Sequence, residues 1–123
     1  MAIPDFQSIL LPFLKFSSDK KQHSLKECIE HLTRYFNLTE DEKKQLLPSG
    51  KQTIFSNRVG WSRTHLKKAG LLSYPSRAIF QITPRGLELL ETKPEKITIS
   101  LLKQYPEYLD FVGITDIASK QSN

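Results

Sequence analysis

The feature that most restricts the fold is a long amphipathic segment that has to stop and turn at once into a pair of short strands, between residues 53 and 82. Placed at about 100° per residue, Phe55, Val59, Ser62, Leu66 and Ala69 share one face, which predicts a helix over residues 53–69 with that face on a core. The opposite arc holds Ser56, Asn57, Gly60, Arg63, Thr64, Lys67 and Lys68, so the outward face is basic and polar throughout. Gly70 provides the left-handed residue that closes such a helix, where Lys67 and Lys68 complement its dipole. Residues 71–74 and 79–82 then read as two strands joined by a four-residue turn, 75–78, that contains Pro75.

The flanking segments carry their own punctuation. Asp5 is placed to cap a first helix with Phe6, Ile9, Leu10, Phe13 and Leu14 at helical spacing, and Pro12 is expected to kink or split it. Ser24 with Glu27 forms a capping box that opens a second helix, with Leu25, Cys28, Ile29, Leu32 and Phe36 as its apolar stripe and Asn37 as its stop. Thr39 with Glu42 repeats the signature for a short helix ending at Leu47, before the break at Pro48-Ser49-Gly50. Thr83 followed by Pro84 opens a last helix from Arg85 to about Glu91. Beyond Pro94 the pattern turns extended at Ile97, Ile99 and Leu101, and residues 118–123 are expected to form an irregular tail.

Helix, helix, basic helix and hairpin is the element order of a winged helix-turn-helix, a mainly α fold with a small β-hairpin. Residues 1–92 are expected to form that domain and residues 93–123 a linker or C-terminal extension. At 123 residues one domain is the default. No apolar run approaches the length of a membrane span, and no membrane partner is expected. The N-terminus lacks the basic start and apolar stretch of a secretory signal, and a single cysteine, Cys28, excludes an intrachain disulfide, so a cytoplasmic location is expected.

Charge narrows the function. The net charge is +5, but its distribution says more than its total. Residues 51–87 contain seven basic residues (Lys51, Arg58, Arg63, Lys67, Lys68, Arg77 and Arg85) and no Asp or Glu, while the remainder holds eleven basic residues against thirteen acids. A solvated helix face normally intermixes both signs, so an acid-free stretch of this length points to an anionic partner.

In a winged helix the helix before the hairpin enters the major groove of duplex DNA, about 12 Å wide, and the hairpin tip reaches the neighbouring backbone or minor groove. Ser56, Asn57, Gly60, Arg63 and Thr64 are the candidates for reading base edges, since Arg grips guanine and Asn adenine in bidentate fashion. Lys51, Lys67, Lys68 and Arg77 suit phosphates, which give affinity without sequence information. Gly60 removes a side chain where the backbone would approach DNA closely, although mid-helix glycine costs about 1 kcal/mol relative to alanine. Arg58, nearer the buried edge, reads as a structural ion pair, and Trp61 as core packing rather than base stacking.

Two stretches carry a family resemblance. Leu47-Pro48-Ser49-Gly50-Lys51-Gln52-Thr53 running into Asn57-Arg58-Val59-Gly60-Trp61-Ser62-Arg63-Thr64, and then Leu66-Lys67-Lys68-Ala69-Gly70-Leu71-Leu72, resembles the N-terminal domain of Mrr-type restriction endonucleases. Ile3-Pro4-Asp5, Leu10-Leu11-Pro12, Phe80-Gln81-Ile82-Thr83 with Gly86, and Gln104-Tyr105-Pro106-Glu107 resemble the same family. The resemblance implies a winged-helix recognition domain that feeds double-stranded DNA, in some members modified DNA, to a covalently linked C-terminal nuclease domain of the PD-(D/E)xK class. That nuclease half is missing from this sequence, so the chain itself is expected to be no enzyme, and the parent a type IV-like restriction endonuclease. The hairpin tip, residues 74–78, is where members are expected to differ.

No catalytic, metal or cofactor site is expected. Pro4-Asp5 with Glu42-Lys43-Lys44 formally spells PD…ExK, but nuclease chemistry needs these groups on adjoining strands around Mg²⁺, and both lie at predicted helix starts. Cys28 and His31 sit three apart on a helix, and His23 and His65 cannot plausibly complete a metal site with them. Gly50-Lys51-Gln52-Thr53 lacks the earlier glycine and preceding strand of a phosphate loop. Three readings compete with duplex recognition: a module for an acidic protein partner, a stand-alone regulator acting as a homodimer on palindromic half-sites, and RNA binding, which lacks an aromatic stacking platform.

Overall fold

The computed structural model describes the backbone of residues 3–121 and the side chains of residues 3–113. Helices begin where short polar side chains satisfy the free N–H groups of a first turn. Asp5 accepts from the Ser8 amide at 2.7 Å and opens α1 (Phe6–Phe16). The Ser24–Glu27 and Thr39–Glu42 capping boxes open α2 (Leu25–Tyr35) and α3 (Glu40–Lys44). Thr53 caps α4 (Ile54–Lys68), and Thr83 caps α5 (Pro84–Glu91), where Pro84 costs nothing because first-turn amides have no intrahelical partner.

Two helices close the same way. Asn37 (φ 51°) follows α2, and its amide bonds the Arg34 carbonyl while that of Leu38 bonds Thr33. Gly70 (φ 78°) follows α4, with its amide on Lys67 and that of Leu71 on Leu66. Both pairs consume carbonyls that a helix end would leave bare.

Pro12 does not split α1, which runs unbroken across it. The proline forfeits one backbone bond, but Ile9, Leu10, Leu11, Phe13 and Leu14 are all buried around it, and that packing holds the helix through the defect. Helix α3 is shorter than expected: Gln45 turns extended, and Leu46 bridges to Thr53. The loop between them closes on itself, with the Leu47 amide on Gln52, that of Ile54 on Gln45, and Gly50 at φ 71°.

The hairpin is β2 (Leu72–Ser76) and β3 (Ile79–Ile82), joined by a two-residue turn, Arg77-Ala78, rather than the expected four. Ser73 faces Gln81 but Ser76 faces Ile79, so β2 carries one extra residue, a bulge that spans Pro75. Proline, which has no amide to donate, can remain within the strand at such a slip. A third strand, β1 (His23–Ser24), pairs antiparallel with the free edge of β3, giving the order β1-β3-β2. It is two residues long and doubles as the cap of α2, so it has no period of its own to read.

Helix α1 lies along α4, and both enclose a core completed by Cys28 and Leu32 of α2, Phe80 and Ile82 of β3, and Leu89 of α5. The segment after α5 is helical where the sequence pattern predicts extension: α6 (Ile99–Leu102) is capped by Thr98, and α7 (Pro106–Gln121) follows. Alternating Ile97, Ile99 and Leu101 also fits a buried residue followed by one helical turn, and the Thr98 cap decides between the two. Ile97, Leu102 and Tyr108 are fully buried in the same core, and the Ile99 amide donates to Gln7 Oε1 of α1 at 3.1 Å. Residues 118–121 continue α7 rather than forming a tail; Ser122 and Asn123 lie outside the described residues.

Candidate nucleic-acid interface

Helix α4 is held from behind. Phe55, Val59, Ser62, Leu66 and Ala69 are buried, and the Ser62 hydroxyl lies 3.0 Å from both the Phe6 and Arg58 carbonyls. The outward arc is graded: Lys67 and Lys68 are exposed, while Ser56, Asn57, Gly60, Arg63 and Thr64 are half-buried. Asn57, Gly60, Arg63 and Thr64 come together with Gln52, Trp61 and Leu25 along a shallow groove between α4 and the start of α2. Asn57 Nδ2 donates to Gln52 Oε1 at 3.3 Å, and Thr64 Oγ1 donates to the Gly60 carbonyl at 3.2 Å.

Arg63 also borders a second groove, of about 610 Å³, with Tyr74, Ser76, Arg77, Ala78 and Ile79 of the hairpin. It is therefore the residue that joins helix to wing. Its Cζ lies 5.5 Å and Lys67 Nζ 5.4 Å from the centre of the Tyr74 ring, so two cations lie against one aromatic ring. Burial pushes the Tyr74 phenol up, with Arg63 opposing. The enclosed Nε of Arg63 has no hydrogen-bond partner among the described residues, which leaves its terminal amino groups as the outward donors. Arg77 is exposed in the turn, Lys51 is exposed in the loop before α4, and the Ser56 amide is held by Thr53 Oγ1 at the start of the helix. Lys67 and Lys68 line a third groove, on the side of α7, with Gly70, Glu107 and Asp110.

Two of the seven cations in the acid-free segment serve the fold. Arg58 Nη1 donates to the carbonyls of Ile3 (2.9 Å) and Pro4 (3.2 Å), a structural role as expected, but through carbonyls instead of an ion pair. Arg85 donates to the Ala69 carbonyl at the end of α4 and pairs with Glu107 at 2.9 Å, its guanidinium over Tyr105. The other five, Lys51, Arg63, Lys67, Lys68 and Arg77, form no ion pair among the described residues.

Trp61 corrects the sequence reading: it is 50% exposed rather than packed in the core. Its neighbour His65 takes the inward flank instead, with its ring 4.6 Å from that of Phe6, and shares a 2.8 Å hydrogen bond through Nδ1 with Tyr108 Oη. Burial lowers the His65 pKa, so the imidazole is neutral near pH 7 and adds nothing to the charge of the face. Tyr74, Gln52, Leu25 and Trp61 are the groove residues that sequence reasoning missed. No periodicity within the hairpin marks Tyr74, because its contact with Arg63 and Lys67 exists only once the strand folds back on α4.

The candidates for other chemistry have structural roles. Asp5 and Glu42 are helix caps at separate helix starts. Cys28 is buried, which pushes its thiol up, and the His31 ring packs 4.8 Å from that of Phe16. Among the described residues no group of three or more His, Cys, Asp or Glu side chains could hold a metal ion, and no helix is long and apolar enough to cross a membrane.

An exposed helix face backed by two helices and continued into a hairpin defines a winged-helix domain. The chain belongs to the Mrr N-terminal domain family, whose sequence profile matches residues 6–92. It is 26% identical over 99 residues to the type IV methyl-directed restriction enzyme EcoKMrr of Escherichia coli (strain K12), a match covering 80% of this chain and 32% of that enzyme. The chain thus spans about a third of the relative's length. No solved structure matches it.

Proposed function

We propose that this domain binds duplex DNA with α4 in the major groove and the β2–β3 hairpin on the adjacent backbone, and that it directs a restriction enzyme to methylated sites. The observation that carries the reading is the set of five cations that form no ion pair among the described residues, spread over α4, its preceding loop and the hairpin, in a segment that contains no acid. An anionic polymer satisfies such a face through release of its condensed counterions. Lys51, Lys67, Lys68 and Arg77 take phosphates; Arg63, Asn57, Thr64 and Ser56 face base edges, with Gly60 giving close approach. Catalysis belongs to a nuclease domain of the parent enzyme, and the side chains of this chain supply recognition only.

The test is fluorescence anisotropy of labelled duplexes, unmodified and methylated, across a salt series. Four phosphate contacts give a log K against log salt slope of about −3.6, and Lys67→Ala/Lys68→Ala makes it shallower by about 2. Arg63→Ala relaxes preference at one base position, whereas Lys67→Ala weakens all sequences about equally. Equal losses for every sequence in both variants would refute that division of roles. Absence of binding at low salt would refute DNA recognition and favour an acidic protein partner.

A further inference from the structure

Gly60 stands in the interior of α4 for no reason internal to the chain. Its φ is not positive, and beyond the backbone of its own helix a Cβ built on it would meet no atom of the described residues within 4 Å. Glycine at such a position weakens the helix without relieving any contact, so the missing side chain serves something outside the molecule. The surroundings say what. Asn57 and Thr64 flank the gap on the same face, Arg63 and Gln52 border it, and Trp61 and Leu25 supply apolar surface. The half-exposed indole gives this otherwise basic, polar face an apolar contact surface. Thr64 has its one donor engaged on the Gly60 carbonyl, and Asn57 is steadied by Gln52, so the walls are pre-ordered.

We propose that the niche over Gly60, walled by Trp61 and Leu25, receives the C5-methyl group of a pyrimidine in the major groove while Arg63 holds a neighbouring guanine. This rests on the DNA-binding reading above. In the major groove a C5-methyl is the apolar mark that separates thymine from the other bases, and methylation of cytosine at C5 places the same group on a G·C pair. The space left open where Gly60 lacks a Cβ, beside the apolar surface of Trp61 and Leu25, admits a group of that size and polarity.

The experiment selects tight-binding sequences from a random duplex pool and resynthesises them with cytosine or 5-methylcytosine, with thymine or uracil, and with N6-methyladenine as a control. Burying one methyl predicts an affinity ratio, methylated over unmethylated, of about four for the native protein. Gly60→Ala fills the niche and brings the ratio to about one, while its thermal stability rises, which separates lost discrimination from lost fold. Trp61 is the chain's one tryptophan, and its fluorescence changes more with the methylated duplex. A response to 5-methylcytosine but not to thymine over uracil, or the reverse, identifies which pyrimidine brings the methyl. The inference is overturned by a Gly60→Ala protein that keeps the ratio, by a native protein that shows none, or by preference for N6-methyladenine alone. Failure of salt-sensitive binding, or an unchanged salt slope in Lys67→Ala/Lys68→Ala, overturns the DNA reading and this inference with it.

Discussion

Gly60 and Gly86 both lie within helices, yet replacing each by alanine should move stability in opposite directions. At Gly60 the added methyl meets only open space, so the change is the helix propensity gain, about 1 kcal/mol, and for a chain of this size a rise in Tm of about 3–5 °C. At Gly86, in the first turn of α5, the Cβ would lie 2.6 Å from the Leu71 carbonyl oxygen and 2.7 Å from Ile82 Cγ1. Neither can retreat: Leu71 is fully buried and its carbonyl accepts the Thr83 amide at 3.1 Å, while Ile82, the last residue of β3, is buried in the core. Overpacking costs about 1–3 kcal/mol; two contacts under 3 Å put Gly86 in the upper part of that range, about 2–3 kcal/mol, which leaves a net loss of about 1–2 kcal/mol after the propensity gain. Thermal and urea melts followed by circular dichroism measure both variants, with an unchanged denaturant m-value showing that the native state rather than the unfolded ensemble has moved. A Gly86→Ala protein as stable as the parent, or a Gly60→Ala protein that melts lower, would refute the assignment of one glycine to packing and the other to an external surface.

His23 is held between Asp19 (2.9 Å) and Glu27 (3.2 Å); burial opposes its charged form, but the two hydrogen bonds outweigh it and raise its pKa above the usual value. A raised histidine adds stability that is complete below the unfolded pKa, about 6.5, and is lost as pH rises through the folded value, so melts from pH 6 to 8 should decline and His23→Gln should flatten that slope. The lowered pKa values of Asp19 and Glu27 act in the other window, with their contribution lost as the solution is acidified below the ordinary carboxylate range. Tyr108→Phe removes the hydroxyl that bonds His65 and should cost about 1 kcal/mol in the same melts; an unchanged Tm would show that the bond does not secure α7 to α4.

What the sequence made legible follows from where its signals are local. Four helix starts could be read because a cap is a side chain reaching three residues along its own chain, as Asp5, Ser24, Thr39 and Thr83 do; Thr53 caps α4 in the same way, but that start was read from the apolar face alone. The buried face of α4 was legible because one helix has one period. One local signal was overlooked, the Thr98 cap of α6, because alternating Ile97, Ile99 and Leu101 matches a strand period as well; the other failures at strand β1 and Trp61 came where the deciding partner is distant in sequence. Strand β1 exists only because His23 and Ser24 meet Phe80 and Ile79, and Trp61 is exposed because His65 has Phe6 and Tyr108 to pack on. For the candidate interface, the basic residues could be named from charge and helical phase, but not which of them the fold consumes.

That last distinction shapes the electrostatic face. Arg85 lies in the acid-free segment yet points its charge at Glu107 and at the C-terminal carbonyl of α4, so it fixes the helix end rather than extending the positive surface. Glu107 and Asp110 of α7 then border the groove that Lys67 and Lys68 line, which bounds the positive face on that side. On the other side no acid intervenes between Arg63, Tyr74 and Arg77. On the proposed DNA reading, an anionic polymer would be drawn from the C-terminal half of α4 toward the hairpin, and Arg63, common to the helix groove and the hairpin groove, is where helix and wing would engage it together.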